Sequence, residues 1–394
     1  MKQHHVMPGL AGKGPMKQHH EIRPRMVDTP SGLRQLVQAL AGETVLAFDL
    51  EADSLHHYRE KVCLLQIATT KAVYLVDPLA VTDLSPLADI LENPAVRKVF
   101  HGADYDIRSL HRDFFLSVRN LFDTMIACQL LGEKEVGLAA VLRKRFGVEL
   151  DKRYQKADWS KRPLDQGMIA YAAADTSYLV TLYRQLEQEL VERGRLSWVE
   201  EECSLLSEVR AVDREGEPFY LRFKGARRMD RRTLAVLEEL LGFRDRRARS
   251  VDRPPFKVLS NDTIRILAEL KPATMQELTG VPGLPARSVE RYGRDILKAV
   301  ERGCAVPEDL LPSFSRPVRL ERDAEREQRL KRLKRWREGK AQALGIDAGI
   351  LVNNALLETL AKEVPHALKD LDAIPVLRRW QKGELGEELL SMLR

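Results

Sequence analysis

Strand-forming sequence is confined to the first half of this chain, and that asymmetry limits the folds open to it. Between Thr29 and about Gly194 short apolar runs alternate with stretches of helical periodicity, which argues for an α/β unit. VLAFDLE (45–51), CLLQIAT (63–69), AVYLVD (72–77) and VRKVFHG (96–102) read as strands, and the short turns joining the first three suit an antiparallel meander. Helices are expected over Leu33 to Leu40, Ile107 to Phe114, Thr124 to Leu131, Ala139 to Phe146 and roughly Leu164 to Leu190. Beyond about Arg210 only helical patterns remain, separated by loops such as DRPPFKVLS (252–260) and TGVPGLPARS (279–288).

The 394 residues exceed the ~250–300 at which a single core stops growing, so several domains are expected. Residues 1–25 read as a disordered tail, with MKQHH at 1–5 repeated at 16–20. Its pairs His4–His5 and His19–His20 have no further ligands nearby, and Met16 or Met26 are alternative starts. An α/β domain is expected over 26–205, a small helical domain over 215–303, a Pro-containing linker over 304–324, and a second helical domain over 325–394. The two helical segments share an order of helix, Leu-(Ser/Val)-Asn step (259–261, 351–353) and helix, which reads as a degenerate repeat. No apolar run approaches the ~18 residues of a membrane span, and the N-terminus lacks the apolar stretch of a signal peptide; a cytoplasmic protein without a membrane partner is expected. Cys63, Cys128, Cys203 and Cys304 show no CxxC spacing, so neither a zinc site nor a disulfide framework is indicated.

Chemistry is concentrated in carboxylates. Asp49 and Glu51 alternate on one strand and therefore share a face. Two such acids repel unless cations sit between them, and oxygen ligands suit Mg²⁺ or Mn²⁺; solvated acids at a strand end are the alternative. HGADYD (101–106) lies where a strand yields to a helix, and either Asp104 or Asp106 would serve as a helix cap. Tyr171 and Asp175 are four apart on a helix and so share its face. No G-x-x-x-x-G-K-[ST] or G-x-S-x-G pattern points to other phosphate or acyl chemistry.

In this order, a strand D-x-E, a strand-to-helix Asp and a helical Y-x-x-x-D resemble the three motifs of the DEDDy exonucleases. The text around them, KVFHGADYDIRSLHRDF and DWSKRPLDQGMIAYAAADTSYL included, is similar to ribonuclease D over nearly all of 29–195. The resemblance implies a ribonuclease H-like mixed sheet, with Asp49, Glu51, Asp106 and Asp175 holding two divalent ions and Tyr171 aiming the attacking water. It prefers Asp106 to Asp104, and it leaves Asp123 as the cap of the helix from Thr124. Asp53, His56 and His57 are candidates for substrate contact. Trp159, among Arg153, Lys156, Lys161 and Arg162, is either a stacking and phosphate-binding edge or a packed loop residue.

Residues 221–302 resemble an HRDC domain, and 325–394 a diverged second one lacking the R-P-P-F element, so the fold class is α/β plus all-α. The first module carries 19 Lys and Arg against 11 Asp and Glu, a net +8, whereas the remainder is near neutral at 45 against 47. Arg227, Arg228, Arg231, Arg232, Arg244, Arg246, Arg247 and Arg249 are its candidate nucleic-acid contacts. The implied activity is 3′-5′ exoribonuclease action on RNA with a free 3′ end, such as tRNA precursors. A DNA 3′-5′ exonuclease in repair and a noncatalytic nucleic-acid-binding scaffold are the alternatives.

Overall fold

The computed structural model describes residues 23–212, 214–314 and 323–394. The expected tail, with both His pairs, falls outside them except for its last three residues, as do 315–322 of the linker. Arg25, assigned to the tail, opens the first strand instead.

The first unit runs β1 (Arg25–Val27), α1 (Pro30–Leu40), β2 (Val45–Ala52), β3 (Val62–Ala68), β4 (Val73–Val76), α2 (Ala88–Leu91), β5 (Arg97–Phe100), α3 (Asp104–Phe114), β6 (Leu121–Asp123), α4 (Thr124–Leu131), α5 (Leu138–Phe146), α6 (Gln166–Ser177), α7 (Leu179–Glu192) and α8 (Leu196–Ser207). The six strands form one sheet in the order β1-β4-β3-β2-β5-β6. The meander β2-β3-β4 is antiparallel, whereas β1 on β4, β5 on β2 and β6 on β5 are parallel. β3 and β4 are buried at every position, which is why CLLQIA reads as a continuous apolar run.

Local sequence sets the helix boundaries. Thr29 caps α1 with Pro30 in its first turn, and Asp165 caps α6 by accepting from the Met168 amide. The single helix expected over Leu164 to Leu190 is two, broken at Tyr178. The Ser177 hydroxyl bonds back to the Ala173 carbonyl just before the break, competing with the helical ladder.

The first helical module consists of α9 (Arg231–Ser250), α10 (Pro255–Val258), α11 (Asn261–Leu270), α12 (Met275–Thr279) and α13 (Ala286–Ala305) around its own core, with Leu237, Leu240, Ile264, Leu267 and Ile296 at its centre. The second consists of α14 (Ala324–Leu344), α15 (Ala348–Leu351), α16 (Asn354–Glu363) and α17 (Arg379–Leu393). Its apolar residues, Leu357 and Leu389 among them, are continuous with the core of the α/β unit. Trp198 of α8 stacks on Trp380 of α17 with centroids 4.4 Å apart. Beside that pair, Glu201 accepts from the Arg379 and Trp380 amides at 2.8 and 2.9 Å, and Glu202 pairs with Arg378.

The repeat is visible in side-chain detail. Arg244 of α9 donates to the Leu259 carbonyl and to Asn261 Oδ1 at 3.2 and 2.7 Å; Arg337 of α14 donates to the Val352 carbonyl and to Asn354 Oδ1 at 3.0 and 2.9 Å. Ser260 and Asn353 then cap α11 and α16. These partners match 259–261 with 352–354, one residue later than the Leu-(Ser/Val)-Asn text suggests. The first Asn of the second copy, Asn353, is the cap, and the bonding Asn is Asn354. Among the described residues no helix is long and apolar enough to cross a membrane.

Candidate active site

Three elements meet at one end of the sheet. β2 carries Asp49 and Glu51 on one face, and α6 lies across β2, β3 and β4 and presents Tyr171 and Asp175 one turn apart. One carboxylate oxygen from each of Asp49, Glu51 and Asp175 lies within 4.8 Å of the others. Asp106 enters from the first turn of α3 and is buried. Its charge acts on both Asp49 and Glu51, so it lies near the cluster, though outside the three acids whose oxygens fall within 4.8 Å of one another.

Burial and mutual repulsion govern these acids. Burial first, then the charges of Asp106, Glu51 and Asp175, hold the Asp49 carboxyl well above its ordinary range. Burial, then Asp175 and Asp106, push Glu51 up to about 9. Burial, then Asp123 and Asp104, push Asp106 up to about 8. Asp175 is raised less, to about 6, because burial is opposed by a hydrogen bond from Tyr171. The Tyr171 phenol is itself driven up by burial and by the charges of Asp175 and Glu51, so it stays protonated and acts as a donor. Four neighbouring acids, Asp106 and Asp175 buried and Asp49 and Glu51 half-buried, cannot all ionise near neutrality without compensating positive charge. A hard divalent cation bound through oxygen supplies that charge, and the donor set fits one.

Asp104 is turned outward, paired with Arg108 at 2.8 Å, and the N-cap position of α3 is Ala103, so neither Asp104 nor Asp106 caps the helix. Asp123 does the tethering. It accepts from the Gly102 and Ala103 amides at 2.9 and 2.7 Å and from the Met125 amide at 2.8 Å, joining the start of α3 to the cap of α4. The first two of these bonds are not legible in sequence; Gly102, at φ +79°, is the one signal that the chain turns tightly there.

Trp159 is sealed, with 1% of its surface exposed, so it forms no stacking edge. Its ring lies 5.9 Å from that of Tyr171, and Tyr154 lies 6.0 Å from Tyr171, so two aromatics flank the phenol. Arg162 is consumed by Asp77 and by the Cys63 and Trp159 carbonyls. Asp53 is buried and accepts from the Lys61 amide at 2.8 Å. His56 Nε2 lies 3.0 Å from the Lys156 carbonyl. His57 Nδ1 lies 2.7 Å from Asp252 of the first helical module, and its Nε2 lies 2.9 Å from Ser160, so this histidine joins two units.

The eight arginines do not form one patch. Arg227, Arg228, Arg231 and Arg232 lie before or at the start of α9, and Arg244, Arg246, Arg247 and Arg249 lie three to five turns later on the same 20-residue helix. Arg232 and Arg244 bond carbonyls of their own module, Arg231 bonds the Leu311 carbonyl beyond α13, and Arg227 lies over the Phe314 ring. Arg247 lies over Tyr292, and Arg249 over Tyr58 of the α/β unit. Arg228 and Arg246 are exposed, with no ion pair among the described residues.

A 3′-5′ exonuclease family model matches residues 24–191, and an HRDC domain model matches both 233–300 and 326–393. The chain is 31% identical over 373 residues to the ribonuclease D of Acidiphilium cryptum, covering 94% of this chain and 93% of that protein. It is similar to the crystal structure of Escherichia coli RNase D, described as an exoribonuclease involved in structured RNA processing, with 26% identity, TM-score 0.71, and coverage of 94% and 99% of the two chains. It is also similar to the catalytic core of RRP6 from Trypanosoma brucei, with 33% identity, TM-score 0.63, and coverage of 72% and 80%. With its carboxylate site in a 3′-5′ exonuclease domain followed by two HRDC domains, this chain belongs to the ribonuclease D family.

Proposed function

We propose that this protein removes nucleoside 5′-monophosphates one at a time from the 3′ end of RNA, with tRNA precursors as natural substrates. The observation that carries the reading is the convergence of Asp49, Glu51, Asp106 and Asp175, all raised by burial, beside a phenol that remains a donor. The four carboxylates would hold two Mg²⁺ or Mn²⁺ ions, which when bound acidify a water and offset charge on the leaving 3′ oxygen. Tyr171 is too weak an acid to serve as a base. Its hydroxyl fixes Asp175 and orients the attacking water along the line of the scissile bond. Trp159 and Tyr154 hold the phenol ring in place. Phosphate contact by the arginines of the first HRDC domain belongs to the same reading, through the exposed Arg228 and Arg246.

The test is release of nucleotide from 3′-labelled RNA and from DNA of the same sequence, each with a 3′ hydroxyl or a 3′ phosphate. Asp49→Asn and Asp175→Asn are expected to abolish release with Mg²⁺ while RNA binding persists. Parental rates in either variant would end the metal assignment, and faster release from DNA would end the RNA assignment.

A further inference from the structure

β3 carries one polar side chain in a run that is otherwise apolar. That residue, Gln66, is fully buried, and neither its amide nitrogen nor its amide oxygen makes a hydrogen bond among the described residues. Buried amides are ordinarily satisfied, because an unpaired one has given up its bonds to water and gained nothing in exchange. An apolar side chain of similar length would fill the same space without that cost. For the fold alone, glutamine is therefore a poor choice here.

Strand register shows what the amide faces. Gln66 stands directly opposite Asp49 on β2 and directly opposite Leu75 on β4. Opposed residues of an antiparallel pair project from the same face, with Cβ atoms roughly 4.5–5.5 Å apart. Along β3 itself, Leu64 and Ala68 lie two residues to either side and share that face. Of the side chains directly opposite Gln66 or next along its strand on this face, three are thus apolar and the fourth is a carboxylate of the site. α6, which brings Asp175 to Asp49 and Glu51, covers β3 as well, so the amide lies under the same roof as the acids. Glu51 has no such neighbour, since the residue opposite it is Leu64.

The chemistry of the amide suits a supporting role. It offers two N–H donors and never ionises, so it can hold a carboxylate oxygen without cancelling its charge. A lysine or arginine at the same place would neutralise Asp49 and compete with a bound cation. Carboxylates that ligate metals are in turn held by hydrogen bonds from groups behind them, which fix their orientation.

We propose that Gln66 is a positioning residue for the metal centre: its amide N–H donates to the Asp49 carboxylate when that carboxylate binds a divalent ion, fixing the rotamer in which Asp49 is a ligand. The inference rests on the metal reading given above. It gives a task to a residue that sequence reads only as part of a buried strand.

The test titrates Mn²⁺ into the full chain, with free Mn²⁺ read from its EPR signal, for the parent, Gln66→Leu and Gln66→Met, and follows the melting of each in EDTA. Both substitutions remove the donor and keep an apolar side chain of similar bulk. Mn²⁺ binding is expected to weaken by about 10–100-fold, while melting in EDTA stays at or above the parental temperature. Hydrolysis of a short oligoribonucleotide should need a correspondingly higher Mg²⁺ concentration for half-maximal rate, with KM for the RNA unchanged at saturating Mg²⁺. Parental Mn²⁺ affinity in either folded variant overturns the proposal. Failure of both variants to fold overturns it as well, since the amide would then serve the fold. A parent that binds no Mn²⁺ is a separate result: it removes the metal reading itself, and the role of Gln66 falls with it.

Discussion

Glu51 and Asp106 keep their protons, in the metal-free fold, up to about 9 and about 8, whereas a carboxyl in an unfolded chain loses its proton near ~4. Between those limits the folded state binds more protons than the unfolded one, so metal-free stability falls as pH rises through that window. Melting in EDTA is therefore expected at lower temperature at pH 8 than at pH 5.5. Asp49→Asn should shrink that difference, and Mg²⁺ should reverse it in the parent; a flat profile in EDTA would contradict the burial of the cluster. Tyr171→Phe keeps the ring between Trp159 and Tyr154 but removes the donor to Asp175. It is expected to lower kcat roughly 10²-fold with little change in KM, read by steady-state kinetics on a short oligoribonucleotide. Spacing paired Asp49 with Glu51 and Tyr171 with Asp175, because a strand and a helix each put two residues on one face, whereas only the family resemblance separated Asp106 from Asp104. The flanking aromatics were not legible, since Trp159 and Tyr171 come together only when the loop before α6 folds back on it.

Elements were legible in proportion to their length. The runs of β2 and β3, eight and seven residues, declare themselves by composition, but β1 and β6, three residues each, are too short to show a period and are defined by pairing with β4 and β5. The break between α6 and α7 is hidden because apolar spacing continues across Tyr178, while the back-bonded Ser177 hydroxyl interrupts the backbone. The repeat was legible as an order of helices but not in register, because register is held by one arginine in each copy. Arg337→Ala removes two hydrogen bonds that tie α14 to the start of α16 and leaves the Val352 carbonyl short of a donor. A loss of about 2 kcal/mol is expected in denaturant unfolding of the unit containing α14. Arg244→Ala should cost a comparable amount in the first copy, and no change in either would show that the shared clasp is ornamental.

At the scale of the molecule the two HRDC domains are attached in opposite ways. The second is fused to the exonuclease domain through an apolar face centred on Trp198 and Trp380, with Glu201 and Glu202 closing its edge. The first meets the exonuclease domain through a smaller contact: His57 with Asp252, and Tyr58, whose ring packs against the module's core and whose hydroxyl donates to Asp245. Trp380→Ala is thus expected to destabilise the exonuclease domain itself, by about 3–5 kcal/mol, read by its melting transition. Asp252→Ala should leave that transition in place and instead raise the rate of proteolytic cutting between α8 and α9. Equal effects of the two variants would mean that both junctions are structural.

The Trp198–Trp380 junction also has a history within each molecule. Glu202 and its partner Trp380 are separated by 178 residues. At roughly 5–20 residues per second, a ribosome needs on the order of 10–35 s to cover that gap. Throughout that interval the emerging exonuclease domain has its sheet and its acids but an uncovered tryptophan face, while the first HRDC domain, with a core of its own, can fold in between. The nascent chain is therefore stickiest over that interval, and a helix made later shields a domain made well before it.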